Sequence, residues 1–126
     1  MKVIENEDVS PFDVDDTLIM TTTGVSAADS LVEVPDPLEP SRLIKFKVNE
    51  SMVRLLREQH HRGSYVIVWS RGGYEWASAV VTALGLSNSV DLIMSKPKTY
   101  FDDLPVEKWL TDRVYLEPRS NYKQGV

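Results

Sequence analysis

Tyr65-Val66-Ile67-Val68-Trp69-Ser70 is the stretch on which the fold class turns. An unbroken apolar run, without the polar alternation of a one-sided strand, reads as a strand buried on both faces in a parallel sheet. Upstream, Asn49 suits the N-cap of a helix running to about Arg62, with Met52, Val53, Leu55 and Leu56 inward and Gly63 as its stop. Downstream, Gly72-Gly73 opens a second helix with Trp76, Ala77, Val80, Val81 and Leu84 on one stripe and Gly85 at its end. Val90 to Met94 reads as a further strand, and Val9 to Asp13 as the first, although Pro11 cannot donate to a sheet ladder. Thr99-Tyr100-Phe101 is expected as a short fourth strand, Pro105 as the start of a short helix through Leu110, and Val114 to Leu116 as a fifth strand. Strand and helix in alternation predict an α/β domain with a mostly parallel sheet.

Between the first strand and the first helix, residues 19–45 look irregular, with three threonines, Gly24, Pro35, Pro37 and Pro40. Within this region Leu31 to Val34 and Leu43 to Val48 alternate in the manner of strands, so it reads as a flap or small hairpin rather than a separate domain. The tail, Glu117 to Val126, is polar and reads as loose.

The 126 residues make one domain with room for a real core, at 42% hydrophobic and 26% charged residues. No apolar run approaches the roughly 20 residues needed to cross a bilayer. Met1 to Asp8 is too polar and acidic for a secretory signal. With no cysteines, disulfides, thiol catalysis and zinc-thiolate sites are excluded, and a cytoplasmic location is expected. The net charge of −5 argues against tight duplex DNA binding. It does not exclude a phosphorylated substrate, because a bound divalent cation can reverse the local field.

The chemistry concentrates at Asp13-Val14-Asp15-Asp16-Thr17-Leu18. In extended chain, residues i and i+2 point to the same side, so Asp13 and Asp15 can converge beyond the carboxyl end of the first strand. Two such carboxylates suit magnesium, which shares its remaining positions with water and phosphate. They equally suit nucleophilic catalysis, one attacking phosphorus while the other handles the proton. In an open α/β sheet, ligands gather beyond the carboxyl ends of the strands. The other expected strands end in Ser70 with Arg71, just before Lys96, and in Asp102-Asp103: a hydroxyl, cations and acids. Taken singly, each has a plainer reading: a turn serine, a solvated lysine, acids capping a short helix.

From Val9 to about Leu116 the sequence resembles the haloacid dehalogenase-like phosphatase superfamily, in a small capless form. Asp13-Val14-Asp15-Asp16-Thr17 resembles the first motif, DxDx[TV]; Ser70 resembles the hydroxyl of the second; Lys96 in Ser95-Lys96-Pro97 resembles the lysine of the third; Asp102-Asp103 resembles the paired acids of the fourth. The resemblance implies one Rossmann-like three-layer domain over residues 1–126, with a flap at about 19–48 in place of a large cap. It implies Asp13 as the nucleophile forming an aspartyl-phosphate and Asp15 as general acid and base. It further implies Ser70 and Lys96 on the phosphoryl oxygens, and Mg2+ held by Asp13, the peptide carbonyl of Asp15, and one or both of Asp102 and Asp103, with Asp103 favoured as the direct ligand and Asp102 in support. Thr17 would brace the loop and Asp16 is assigned no catalytic part. Arg71 is either a contact to substrate phosphate or a surface charge. Trp69, Trp76 and Trp109 read as core or near-core, and His60 and His61 are given no role. Pro11 departs from the aliphatic residue usual in the family's central strand. The implied substrate is a phosphomonoester: a nucleotide, a phosphorylated nucleic-acid end, a phosphoprotein or a sugar phosphate. A homo-oligomer could cover the open site. A phosphotransferase, a dehalogenase and a non-catalytic module binding metal or phosphate are the alternatives.

Overall fold

The computed structural model describes residues 8–116 and 122–125. The polar start, residues 1–7, and residues 117–121 and 126 of the tail lie outside the described residues. The chain divides into two compact units, residues 1–96 and 97–126.

The first unit is mixed α/β. Its parallel sheet has three strands, β1 (Val9–Asp13), β5 (Tyr65–Ser70) and β6 (Leu92–Ser95), with β5 central. The apolar run at 65–69 thus takes the central position, with Val66 and Val68 fully buried on one face and Tyr65, Ile67 and Trp69 only half-buried on the other, short of the burial on both faces expected of it. Asp13 pairs in register with Trp69, and Ser70 with Ser95, which brings the carboxyl ends of all three strands into one row. Within the described residues β1 is an edge strand, not the central strand that the resemblance implies. This accommodates Pro11. The Asp8 carbonyl accepts from the Tyr65 N–H, so residues 8, 10 and 12 turn their backbone groups toward β5 and Pro11 turns away, where no donor is missed.

Two helices link these strands. In α1 (Glu50–His61), Asn49 caps the first turn by accepting from the Met52 N–H, and Met52 and Leu56 are buried while Val53 and Leu55 are half-buried. In α2 (Tyr74–Ala83), Ala77, Val80 and Val81 are buried. Gly73 precedes α2 with φ +99°, a conformation that a side chain would strain.

The irregular-looking region 19–48 is a small antiparallel sheet in the order β2 (Ile19–Met20), β4 (Glu39–Val48), β3 (Leu31–Asp36). Its strands extend further toward the turn than the alternation indicates, because the prolines sit where a ladder tolerates them. Pro35 is on an edge strand, and Pro40 lies beyond the reach of β2 along β4. Phe46 meets Trp76 edge-on at 5.6 Å between ring centroids, tying this sheet to α2.

The second unit departs from expectation. Thr99-Tyr100-Phe101 is irregular rather than a fourth strand, and the helix expected from Pro105 shrinks to a single 3-10 turn, Val106–Lys108. A run of three residues cannot form a strand without a partner ladder, and none pairs with it among the described residues. β7 (Arg113–Leu116) overlaps the expected fifth strand but pairs antiparallel with β8 (Tyr122–Gly125), so those four residues of the tail form a strand rather than loose chain. Trp109 is half exposed, not core, and stands edge-on to Tyr100 at 6.2 Å. Among the described residues no helix is long and apolar enough to cross a membrane.

Candidate functional site at the carboxyl ends of the parallel strands

The loop leaving β1 is built by alternation. Val14 and Leu18 are fully buried and act as anchors. Between them the chain makes one tight turn, with the N–H groups of Thr17, Leu18 and Ile19 all directed at the Val14 carbonyl. With Val14 pulled inward, Asp13 and Asp15 are left on the outer side, as the i, i+2 relation requires. Asp16 takes φ +60°, a left-handed conformation that aspartate tolerates better than most residues, and its N–H donates to the Ile19 carbonyl at 2.8 Å. It is a turn-former in an exposed position, in keeping with its assignment to structure. Thr17 sits half-buried inside the same turn.

Lys96 lies two strands away from Asp13, a span of about 10 Å. Its side chain bridges it: Nζ stands 3.8 Å from Oδ1 of Asp13. Both groups are about one-third exposed, so the pair is accessible from solvent and contributes little to stability, about 0–1 kcal/mol. The Lys96 backbone is pinned by its N–H to the Ser70 carbonyl at 2.8 Å. Ser70 itself is fully buried, and its Oγ accepts from the Gly72 N–H at 2.9 Å, leaving the hydroxyl proton to be donated elsewhere. Gly72 is required by this close approach. A Cβ there would stand 3.0 Å from Trp76 Cδ1 and 3.2 Å from Ser70 Oγ. Arg71 is exposed beside Ser70.

Trp76 belongs to the site, a role that its place on an apolar stripe concealed. Its indole N–H donates to Oδ1 of Asp15 at 3.3 Å, while its ring packs on Phe46. Ser95 is a second addition, accepting the Tyr74 N–H at 3.1 Å and so seating the first turn of α2 beside Lys96. The position of Trp76 in the first turn after a strand-end Gly-Gly was the one signal available for it.

The crowding around its carboxyl pushes the pKa of Asp15 above the ordinary aspartate range, and the charges of Asp13 and Asp16 push the same way. The indole hydrogen bond offsets part of the rise.

Asp102 and Asp103 lie in the second unit, both exposed, in an irregular turn. The Asp103 N–H donates to Oδ1 of Asp102 at 2.7 Å, and that of Leu104 at 3.3 Å. Hydrogen bonding between the two neighbouring carboxyl groups, followed by these N–H groups, holds the Asp102 carboxyl below the usual range. Within either unit, no three His, Cys, Asp or Glu side chains gather into a ready-made metal cage among the described residues. His60 lies near the amino end of β6, away from the carboxyl ends that carry the site, its Nδ1 3.9 Å from Asp91 just before that strand.

The structure therefore brings together Asp13, Asp15, Ser70 and Lys96 within the first unit and adds Trp76, Gly72 and Ser95. Compared with protein-family models, curated proteins and solved structures, the chain matches none.

Proposed function

We propose that the first unit is the core of a magnesium-dependent phosphomonoester hydrolase of the haloacid dehalogenase-like type, Rossmann-like in its parallel layer and without a large cap. The observation that carries this reading is the ammonium of Lys96 standing 3.8 Å from the Asp13 carboxylate, with Ser70 on the strand between them. A cation beside a nucleophilic carboxylate is what an incoming phosphate dianion requires, since charge spreads over its equatorial oxygens in the transition state.

In this reading Asp13 attacks phosphorus in line; the P–O bond to the leaving group breaks as the aspartyl-phosphate forms. Asp15 protonates the leaving oxygen, and its raised pKa favours the protonated form needed for that step. It then takes a proton from the water that cleaves the aspartyl-phosphate, returning Asp13 and releasing inorganic phosphate. Lys96 and the Ser70 hydroxyl hold the phosphoryl oxygens, and the Trp76 indole keeps Asp15 aimed at the leaving group. The Asp13 carboxylate and the peptide carbonyl of Asp15 are hard oxygen donors of the kind magnesium takes alongside water and phosphate. The cation would supply neutralisation of the charge shared by Asp13 and the phosphate. Asp102 and Asp103 remain the acids assigned to metal binding on this reading.

Phosphate release from a panel of generic esters, nucleotides, phosphopeptides and phosphorylated oligonucleotides, with magnesium and with chelator, tests the proposal. Magnesium-dependent release is expected, reduced on the order of 10³-fold or more in Asp13→Asn, in line with loss of a covalent nucleophile. Release that survives in Asp13→Asn would overturn the aspartyl-phosphate route.

A further inference from the structure

The indole of Trp76 is fixed by contacts from separate parts of the first unit. Its ring meets Phe46 of β4 edge-on, and both side chains are half-buried. Gly72 lies so close that even a Cβ there would come within 3.0 Å of Cδ1. The turn that carries the indole is tied to the strand ends, the Gly73 N–H donating to the Ser70 carbonyl at 3.1 Å and the Tyr74 N–H to Ser95 Oγ. Held in this way, the indole N–H meets Oδ1 of Asp15. It can donate but not accept, so it occupies Oδ1 whether that carboxyl is ionised or protonated, and leaves the transferable proton to Oδ2. Neither side chain would hold this geometry alone, because the last torsions of aspartate and tryptophan are broad and soft.

We propose that Phe46 is a positioning residue for proton transfer: by fixing the Trp76 indole it holds Oδ1 of Asp15 and presents Oδ2 to the leaving-group oxygen. The proposal rests on the phosphatase reading and gives the small antiparallel sheet a part in it. As the P–O bond breaks, its electron pair stays on the leaving oxygen, which takes the proton from Oδ2. Asp15 is left as a carboxylate still bound to the indole, ready to accept a proton from water on the same oxygen. Without the Phe46 contact the indole is free to swing, and without the indole the two oxygens of Asp15 exchange places. A misplacement of about 1 Å at a reacting group costs on the order of 10²-fold, so the packing of a residue that touches no substrate is felt in the rate.

The test compares kcat/KM, with magnesium, for a simple alkyl phosphate and for p-nitrophenyl phosphate. This ratio covers the steps up to departure of the alcohol, and an alkoxide needs a proton in order to leave whereas nitrophenolate does not. Trp76→Phe keeps a ring and removes the N–H; Phe46→Leu keeps apolar bulk and removes the ring edge. Trp76→Phe is expected to lower the alkyl value roughly 10- to 100-fold, about tenfold more than the nitrophenyl value. Phe46→Leu is expected to show the same selectivity with a loss of roughly three- to tenfold on the alkyl ester. In Asp15→Asn, neither change should lower the nitrophenyl value further, because both act through that carboxyl. Urea unfolding midpoints establish that each variant remains folded. Equal losses on the two esters, no loss in Phe46→Leu, or a further loss in the Asp15→Asn background overturns the assignment and leaves the phosphatase reading in place. No release from either ester by the unaltered protein overturns the phosphatase reading and this assignment with it.

Discussion

In the first unit Val66, Val68, Val80 and Val81 have no exposed surface; in the second, Tyr100, Phe101, Trp109 and Tyr115 are each half exposed or more. Both stretches are rich in large apolar residues, so hydrophobicity alone does not separate them. What separates them is period and length. The first unit carries full helical stripes with caps and a strand apolar on both faces, and each of these finds a partner layer. The second offers apolar runs of two or three residues between acids and prolines, too short to define a face. An apolar residue contributes to stability only where a neighbouring element removes it from water.

The contrast can be broken most directly by truncation. Leu18→Ala removes an anchor of the turn that carries Asp13 and Asp15, and is expected to cost about 2–5 kcal/mol in urea unfolding. It should also lower phosphate release, since the turn positions both carboxylates. A loss below about 1 kcal/mol would mean that the first unit does not depend on this core. Next in size is Asn49→Ala, which deletes the cap accepting from Met52 and is expected to cost about 1 kcal/mol.

Asp15→Asn sharpens the contrast, because here function and stability oppose each other. The folded pKa of Asp15 lies above its unfolded value, so its ionisation disfavours the folded state. The stability it contributes in acid is lost as pH rises through the folded pKa. The asparagine variant, still able to accept from Trp76, is therefore expected to melt at a higher temperature near neutral pH. That advantage should fade as pH falls through the folded pKa and vanish well below the unfolded value of about 3.9, where the carboxyl is protonated in both states. Phosphate release should fall in the same variant. A variant less stable at neutral pH would show that the charged form is stabilised rather than penalised. The smallest effect is expected for Phe101→Ala, within about 0.5 kcal/mol, since the side chain is 97% exposed. A larger loss would show that the second unit does bury it in solution.

The candidate site was legible in part. Asp13, Asp15, Ser70 and Lys96 could be found because strand ends are marked by the change from apolar to polar residues, and the parallel register then places those ends side by side. Trp76 could not be assigned to the site, because an aromatic on a helical stripe has the same signature whether its N–H is idle or bound to a carboxylate. The extent of the hairpin was obscured by Pro35 and Pro40, whose tolerance depends on which strands are edges.

The sequence by itself determined the elements of the first unit: the Asn49 cap, the buried run at 65–69, the glycine opening of α2, and the alternation that sets Asp13 and Asp15 on one side of Val14. These follow from local geometry, in which propensity, capping and side-chain period act over a few residues. The tertiary structure alone decided that β1 is an edge, that the Trp76 indole reaches Asp15, that Lys96 spans two strands to Asp13, and that Arg113–Leu116 pairs back on the tail. Those outcomes depend on which distant segments become neighbours, and sequence patterns of local period carry no record of that choice.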